Sequence, residues 1–247
     1  MIEAALWGLV GGSALVLGAV IAFELRPGRH VVAYIMAFGS GVLISAVAYD
    51  LTAGAFTLGG RDAVGIGLAA GALVYAGLAL RIKGPAAESS AAAAESNATD
   101  EGAGARRIAL GALLDGIPES AAIGLTLVEG GGVGVAFIVA VFISNLPESI
   151  SASAEFGRAG RSRAWILRLW FSIAVASSFS AAVGYELLGG GSAFIQAAVN
   201  AFAGGAIMAM LATSMIPQAY EESGHSLGVG LVTVLGFAFA AALTAIA

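Results

Sequence analysis

The sequence predicts an all-α membrane protein, built as a bundle of eight transmembrane helices in one domain spanning 1–247. Three observations carry this. The first is composition. Of 247 residues, 59% are hydrophobic and only 11% are charged, against about a quarter charged in an average soluble domain. Mean hydropathy is +0.92, and a soluble globule of this size needs a polar skin that these residues cannot supply. The second is pattern. The apolar runs are continuous over about 20 residues, the length that crosses ~30 Å of hydrocarbon. They lack the ten-residue alternation of barrel strands. The third is the 36 glycines, about twice the usual ~7%, which suit helices that pack closely in lipid. The absence of Cys excludes a disulfide scaffold, and the apolar content excludes intrinsic disorder. A net charge of −5 without a basic tract argues against nucleic acid as a partner.

Reading along the chain, the predicted spans are 4–23, 31–54, 62–82, 107–128, 133–156, 165–188, 193–216 and 226–246. The first follows Met1-Ile2-Glu3 with no basic n-region, and so reads as a retained helix, not a cleaved signal. The connections are short except for 83–105, rich in Ala, Ser, Glu and Gly, which reads as a flexible solvated loop. Glycine runs at Gly130–Gly132 and Gly189–Gly191 mark hinges between antiparallel helices. Loops after odd spans, with their flanking helix ends, carry Arg26, Arg29, Arg81, Lys83, Arg106, Arg107, Arg158, Arg161, Arg163 and Arg168, and the opposite side carries only Arg61. The positive-inside rule then puts the odd loops, including 83–105, in the cytoplasm and both termini outside a plasma or inner membrane. Trp7, Trp165 and Trp170 fall near span ends, where an interfacial anchor and an ordinary packing role are both open.

Carboxylates at membrane depth cost roughly 2.5–3.5 kcal/mol on insertion scales and so need a reason. Four fall inside spans: Asp50, Asp115, Glu119 and Glu148. Asp50 sits toward a span end, as do Glu155 and Glu186, and His30 and His225 lie in turns. Asp115 and Glu119 share one helix face at a spacing of four. Asn145 and Glu148 do the same on the next span at a spacing of three. Each Glu follows a proline, in Ile117-Pro118-Glu119-Ser120 and Leu146-Pro147-Glu148-Ser149, a short repeat on successive spans. A mid-helix proline frees the carbonyl four residues back, here Leu114 and Ile143. Carboxylates and freed carbonyls make a concentrated oxygen site, and like charges held close need a cation or a proton between them. No Gly-Lys-Ser/Thr follows the glycine turns, so they are not phosphate loops. No His lies at membrane depth to activate a serine, so an enzyme is not expected, nor is an organic cofactor.

These features resemble the ZIP (Zrt-/Irt-like) divalent metal transporters, and the similarity covers nearly the whole chain. Eight spans, a loop after span 3 and Pro-Glu motifs on spans 4 and 5 carry it. Gly204-Gly205-Ala206 and Met215-Ile216-Pro217-Gln218-Ala219 on span 7, followed by Glu221-Glu222-Ser223-Gly224, add to it. The resemblance implies a pseudo-symmetric 3+2+3 bundle with the transport site between spans 4 and 5. The family's span 4 motif is His-Asn-x-Pro-Glu-Gly, and Asp115-Gly116-Ile117-Pro118-Glu119-Ser120 stands in its place. Its span 5 motif resembles Gln-Asn/Asp-x-Pro-Glu-Gly, matched by Ser144-Asn145-Leu146-Pro147-Glu148-Ser149. Both Glu positions and Asn145 match, while the His has become Asp115. A family Glu on span 6 falls at Ala181, and the acid after the span 7 proline is Gln218. A two-metal site built on that span 6 Glu is therefore not expected.

The implied metal ligands are Asp115, Glu119, Asn145 and Glu148, with Ser144 and Ser120 as secondary oxygens. The set is all oxygen. Zn²⁺ prefers His and Cys, and Mn²⁺, Fe²⁺ or Mg²⁺ suit oxygen better. The expected function is transport of a divalent metal ion as substrate, with the bilayer, the ion and a second copy of the chain as candidate partners. Two other classes stay open on the sequence: a proton-coupled transporter of another solute, and a non-transporting membrane sensor or scaffold derived from a transporter.

Overall fold

A computed structural model describes residues 1–83, 101–128, 134–188 and 190–246. The hinge Gly130–Gly132, Gly189, and all of the expected loop 83–105 except Lys83 and residues 101–105 lie outside the described residues. The described residues form helices and no strand. In chain order these are α1 (Ile2–Glu24), α2 (Arg29–Ala46), α3 (Gly54–Lys83), α4 (Glu101–Thr126), α5 (Val135–Arg158), α6 (Arg163–Leu188), α7 (Ala193–Met210), α8 (Ile216–Glu222) and α9 (Gly228–Ile246). Two wider-wound π-helical segments interrupt them, Val47–Ala53 after α2 and Leu211–Met215 after α7. Helices answer the central constraint of a bilayer, because every backbone N–H and C=O is satisfied within the segment.

Among the described residues, six helical stretches are long and apolar enough to cross a membrane, and the chain is a membrane protein on that ground. One of them, Arg29–Arg81, holds 53 residues, more than one crossing of ~30 Å needs. It covers the expected spans 31–54 and 62–82 apart from residue 82. The expected connection between them is there and is short: two helices meet at Gly60, whose φ of 75° and ψ of −176° are not helical, a conformation open to glycine at little cost. The α4 helix is not among the six. Asp115, Pro118, Glu119 and Ser120, which single it out chemically, also dilute its apolar character. It begins at Glu101, six residues before the expected 107.

The packing falls into matched pairs. The α1 helix lies along both α5 and α6, α4 lies along α6, α2 along α9 and α5, and α3 along α7. Direct contact between α4 and α5 is slight. Glycines set the spacing. A Cβ on Gly67 or Gly71 of α3 would run into the Ala198 or Phe202 carbonyl of α7, and one on Gly205 of α7 into the Leu68 carbonyl of α3. The same reciprocity joins α2 to α9, through Gly41 against Thr233 and Gly236 against Phe38. Backbones this close gain dispersion contacts that lipid tails cannot match. The largest apolar cluster gathers Met36, Leu43, Leu51, Ile123, Phe137 and Ile207. A second gathers Leu15, Phe156, Ile166 and Trp170. Trp170 is a core residue, fully buried, and its indole N–H donates to Ser153 Oγ at 2.8 Å. Trp165 is only half-buried at the start of α6.

Candidate functional site

Both Pro-Glu motifs lie within uninterrupted helix. Pro118 sits inside α4 and Pro147 inside α5, so each removes one rung of the backbone ladder without ending the helix. On α4, Glu119 is 2% exposed and Ser120 3%. A carboxylate enclosed to this degree must be compensated by a partner. The backbone of Asp115 belongs to α4, and its side chain lies outside the described residues. The α6 helix holds this stretch from one side. Ser180 Oγ donates to the Ile117 carbonyl at 3.2 Å, and Ser177 Oγ lies 3.8 Å from where a Gly116 Cβ would stand. Ser177 is itself buried.

On α5, Ser144 and Asn145 are buried and Glu148 is half-buried. The Asn145 amide nitrogen donates to the Gly11 carbonyl of α1 at 3.2 Å. That bond fixes the amide plane and leaves Oδ1 as its acceptor end. Ser144 Oγ donates to the Val141 carbonyl at 2.9 Å. Its proton is directed along the helix and its lone pairs remain for a cation. Ser149 Oγ is shared between the Asn145 and Leu146 carbonyls at 2.9 and 3.1 Å. Gly18 of α1 lies so close that an added Cβ would meet the Leu146 carbonyl at 2.7 Å. The Ile143 carbonyl freed by Pro147 faces α2, 3.4 Å from where a Gly39 Cβ would stand.

Of the expected ligands, Glu119, Ser120, Ser144 and Asn145 are buried oxygens on two helices, and Glu148 is partly accessible. No group of three or more His, Cys, Asp or Glu side chains close enough to hold a metal occurs among the described residues. Ala181, at the family's span 6 acid position, is fully buried. A Cβ on Gly8 would stand 2.7 Å from the Ala181 Cβ, and one on Gly124 would strike the Ala181 carbonyl. The space an acidic side chain would need is filled by helix backbone.

Sequence reasoning missed one polar network. Toward the end of α5, Gln218 Nε2 donates to Ser151 Oγ at 3.0 Å and to Glu222 Oε1 at 2.8 Å, and Ser151 Oγ donates to Glu222 Oε1 at 3.2 Å. The signal was present. Glu148, Ser151 and Glu155 recur at spacings of three and four on α5, and Gln218 and Glu222 are four apart on α8. Gln218, read as a lost acid, thus ties α8 to α5. A search finds no family model and no curated protein that matches this chain.

Proposed function

We propose that this chain is a transporter of divalent metal cations, similar to the ZIP family. Its ion would be held by Glu119 and Glu148 with Asn145, Asp115 and the hydroxyls of Ser144 and Ser120. The observation that carries the reading is Glu119, a carboxylate 2% exposed beside a helix-interior proline, with a second Pro-Glu pair on the next long helix. A divalent cation offsets the charge that burial penalises, and neutral amide and hydroxyl oxygens complete the shell of a hard ion. The oxygen-only set favours Mn²⁺ or Fe²⁺ over Zn²⁺.

The finer architecture belongs to the same reading: eight spans in a 3+2+3 order, with the first and last three related by a pseudo-two-fold axis. Its support is the packing. Contacts of α1 with α5 have their counterpart in α6 with α4, and those of α2 with α9 in α3 with α7. A π-helical segment interrupts the second helix of each proposed triplet. Symmetry of this kind is common in transporters whose sites sit between repeats. The ten-to-one distribution of basic residues supports both termini outside a plasma or inner membrane.

The test is uptake by proteoliposomes. The parent protein should carry Mn²⁺ or Fe²⁺ above protein-free vesicles, and the Glu119→Gln, Glu148→Gln double variant should not. Equal uptake by parent and double variant overturns the site. Proton flux without any metal dependence overturns the substrate. Because the chain has no Cys, single cysteines report sidedness, and labelling of a cysteine at position 95 by an impermeant reagent in intact cells would reverse the topology.

A further inference from the structure

We propose that the corner where α5 turns into α6 binds the phosphate of an anionic phospholipid, with Arg161 as its principal cation. The corner is rigid by construction. Gly160 takes a left-handed φ of 74°, and the Arg161 N–H returns to the Phe156 carbonyl at 3.0 Å, closing the end of α5 as glycine-terminated helices do. Ser162 then caps α6, its Oγ accepting the Trp165 N–H at 3.2 Å. The Arg161 side chain turns back over the Trp165 ring, with its guanidinium carbon 5.0 Å from the ring centre. Trp165 is in turn held edge-on by Phe156 at 5.4 Å. A cation over an indole face is favourable, and the stack holds the guanidinium in one place.

What the stack does not supply is an anion. The Arg161 Nε is buried and has no hydrogen-bond partner. The next arginine, Arg163, is paired with Glu24 at 3.2 Å and lies over Phe23. Arg161 forms no ion pair among the described residues. Exposed Arg158 and Arg168 flank the corner, and although Arg158 faces Glu155 and Arg163 is paired with Glu24, the cations there outnumber these acids. A fixed guanidinium fork beside a capped helix start is the geometry that suits phosphate, and basic pockets between transmembrane helices bind anionic headgroups.

The outer face of α6 points to a lipid as the source of that phosphate. Beyond Arg168, Phe171, Val175 and Phe179 follow at spacings of three and four, and they are 61%, 47% and 71% exposed. This apolar stripe runs from the corner along the membrane-spanning helix and offers acyl chains a surface continuous with the headgroup site.

The experiment is native mass spectrometry of the full chain in detergent with dioleoyl-phosphatidylglycerol or dioleoyl-phosphatidylcholine. The parent protein should retain phosphatidylglycerol over phosphatidylcholine. Arg161→Gln should lower that retention about fivefold, the effect of one basic residue near a charged surface. Arg161→Lys, which keeps the charge and loses the planar fork, should fall between, and Arg61→Gln, at the Gly60 break, should match the parent. Millimolar inorganic phosphate should leave the lipid bound. Retention unchanged in Arg161→Gln, or equal retention of the two lipids by the parent, overturns the proposal. Displacement by inorganic phosphate overturns the lipid as occupant. Should Arg161→Gln fail to fold, the Lys variant and the parent's lipid preference decide the matter.

Discussion

On α4, Glu119 is almost fully enclosed, and its helix is gripped from α6 through Ser180 and through the close approaches at Gly124 and Gly184. On α5, Glu148 is half-buried, and it is the residues before and after it that are gripped, Asn145 by the Gly11 carbonyl and Ser149 by its own helix beside Gly18. The two tetrapeptides are near copies in sequence. Their surroundings differ. Under the proposed metal transport, the enclosed α4 carboxylate would hold an ion that has shed water, and the half-buried α5 carboxylate would meet it earlier or later on its path.

The sharpest way to break this comparison is to remove each charge alone. Glu119→Gln should weaken Mn²⁺ binding by about 100-fold, as loss of a ligand exceeds the tenfold-to-hundredfold effect of an outer partner, and Glu148→Gln should weaken it less. Calorimetry reads both. Equal losses at the two positions would make the difference in burial irrelevant.

The next largest effect concerns the grip on α4. Gly124→Val forces a side chain into the Ala181 carbonyl and should cost about 1–3 kcal/mol, read as a fall in the thermal midpoint in detergent. Ala181→Glu, which restores the acid of the resembled family, presses on α1 at Gly8 and should destabilise instead of adding a metal ligand. Asn145→Ala removes the bond to α1 and should cost about 1 kcal/mol, with metal affinity down by roughly tenfold, less than for a lost carboxylate because the amide oxygen it removes carries no charge. Ser180→Ala should cost the least, about 0.5 kcal/mol, and should leave metal binding within a factor of two of the parent. If Ser180→Ala cost as much as Asn145→Ala, the α6 contact would be as important as the α1 contact.

Much of this was legible in the sequence, for a physical reason. In lipid a helix must be long, continuous and apolar, so its presence shows in composition alone, and carboxylates inside it stand out against that background. Thus α1, α5, α6 and α9 lie where the apolar runs predicted them, and Glu119 emerged as buried. What the sequence did not reveal depends on contacts between helices. The short connection expected between the second and third spans is a single non-helical residue, Gly60, inside α3, and a lone glycine in a glycine-rich chain leaves little signal of which one turns it. The Asn145–Gly11 bond spans 134 residues and leaves no local signature. Trp170 and Trp165 looked alike near span ends, and only their neighbours separate a core indole bonded to Ser153 from a half-buried one beneath Arg161.

The glycines between α3 and α7 constrain how such a sequence can change over generations. At Gly67 and Gly71 the neighbouring backbone leaves no room for even one methyl group, while Gly65 and Gly77 on the same helix face open space. A substitution at the second pair can persist and be compensated anywhere. At the first pair it must be accompanied by a shift of the whole partner helix, a change that single mutations cannot approach in small steps. Descendants of this chain should therefore vary freely along one side of α3 and hardly at all along the other, and that division would outlast any recognisable similarity in the residues around it.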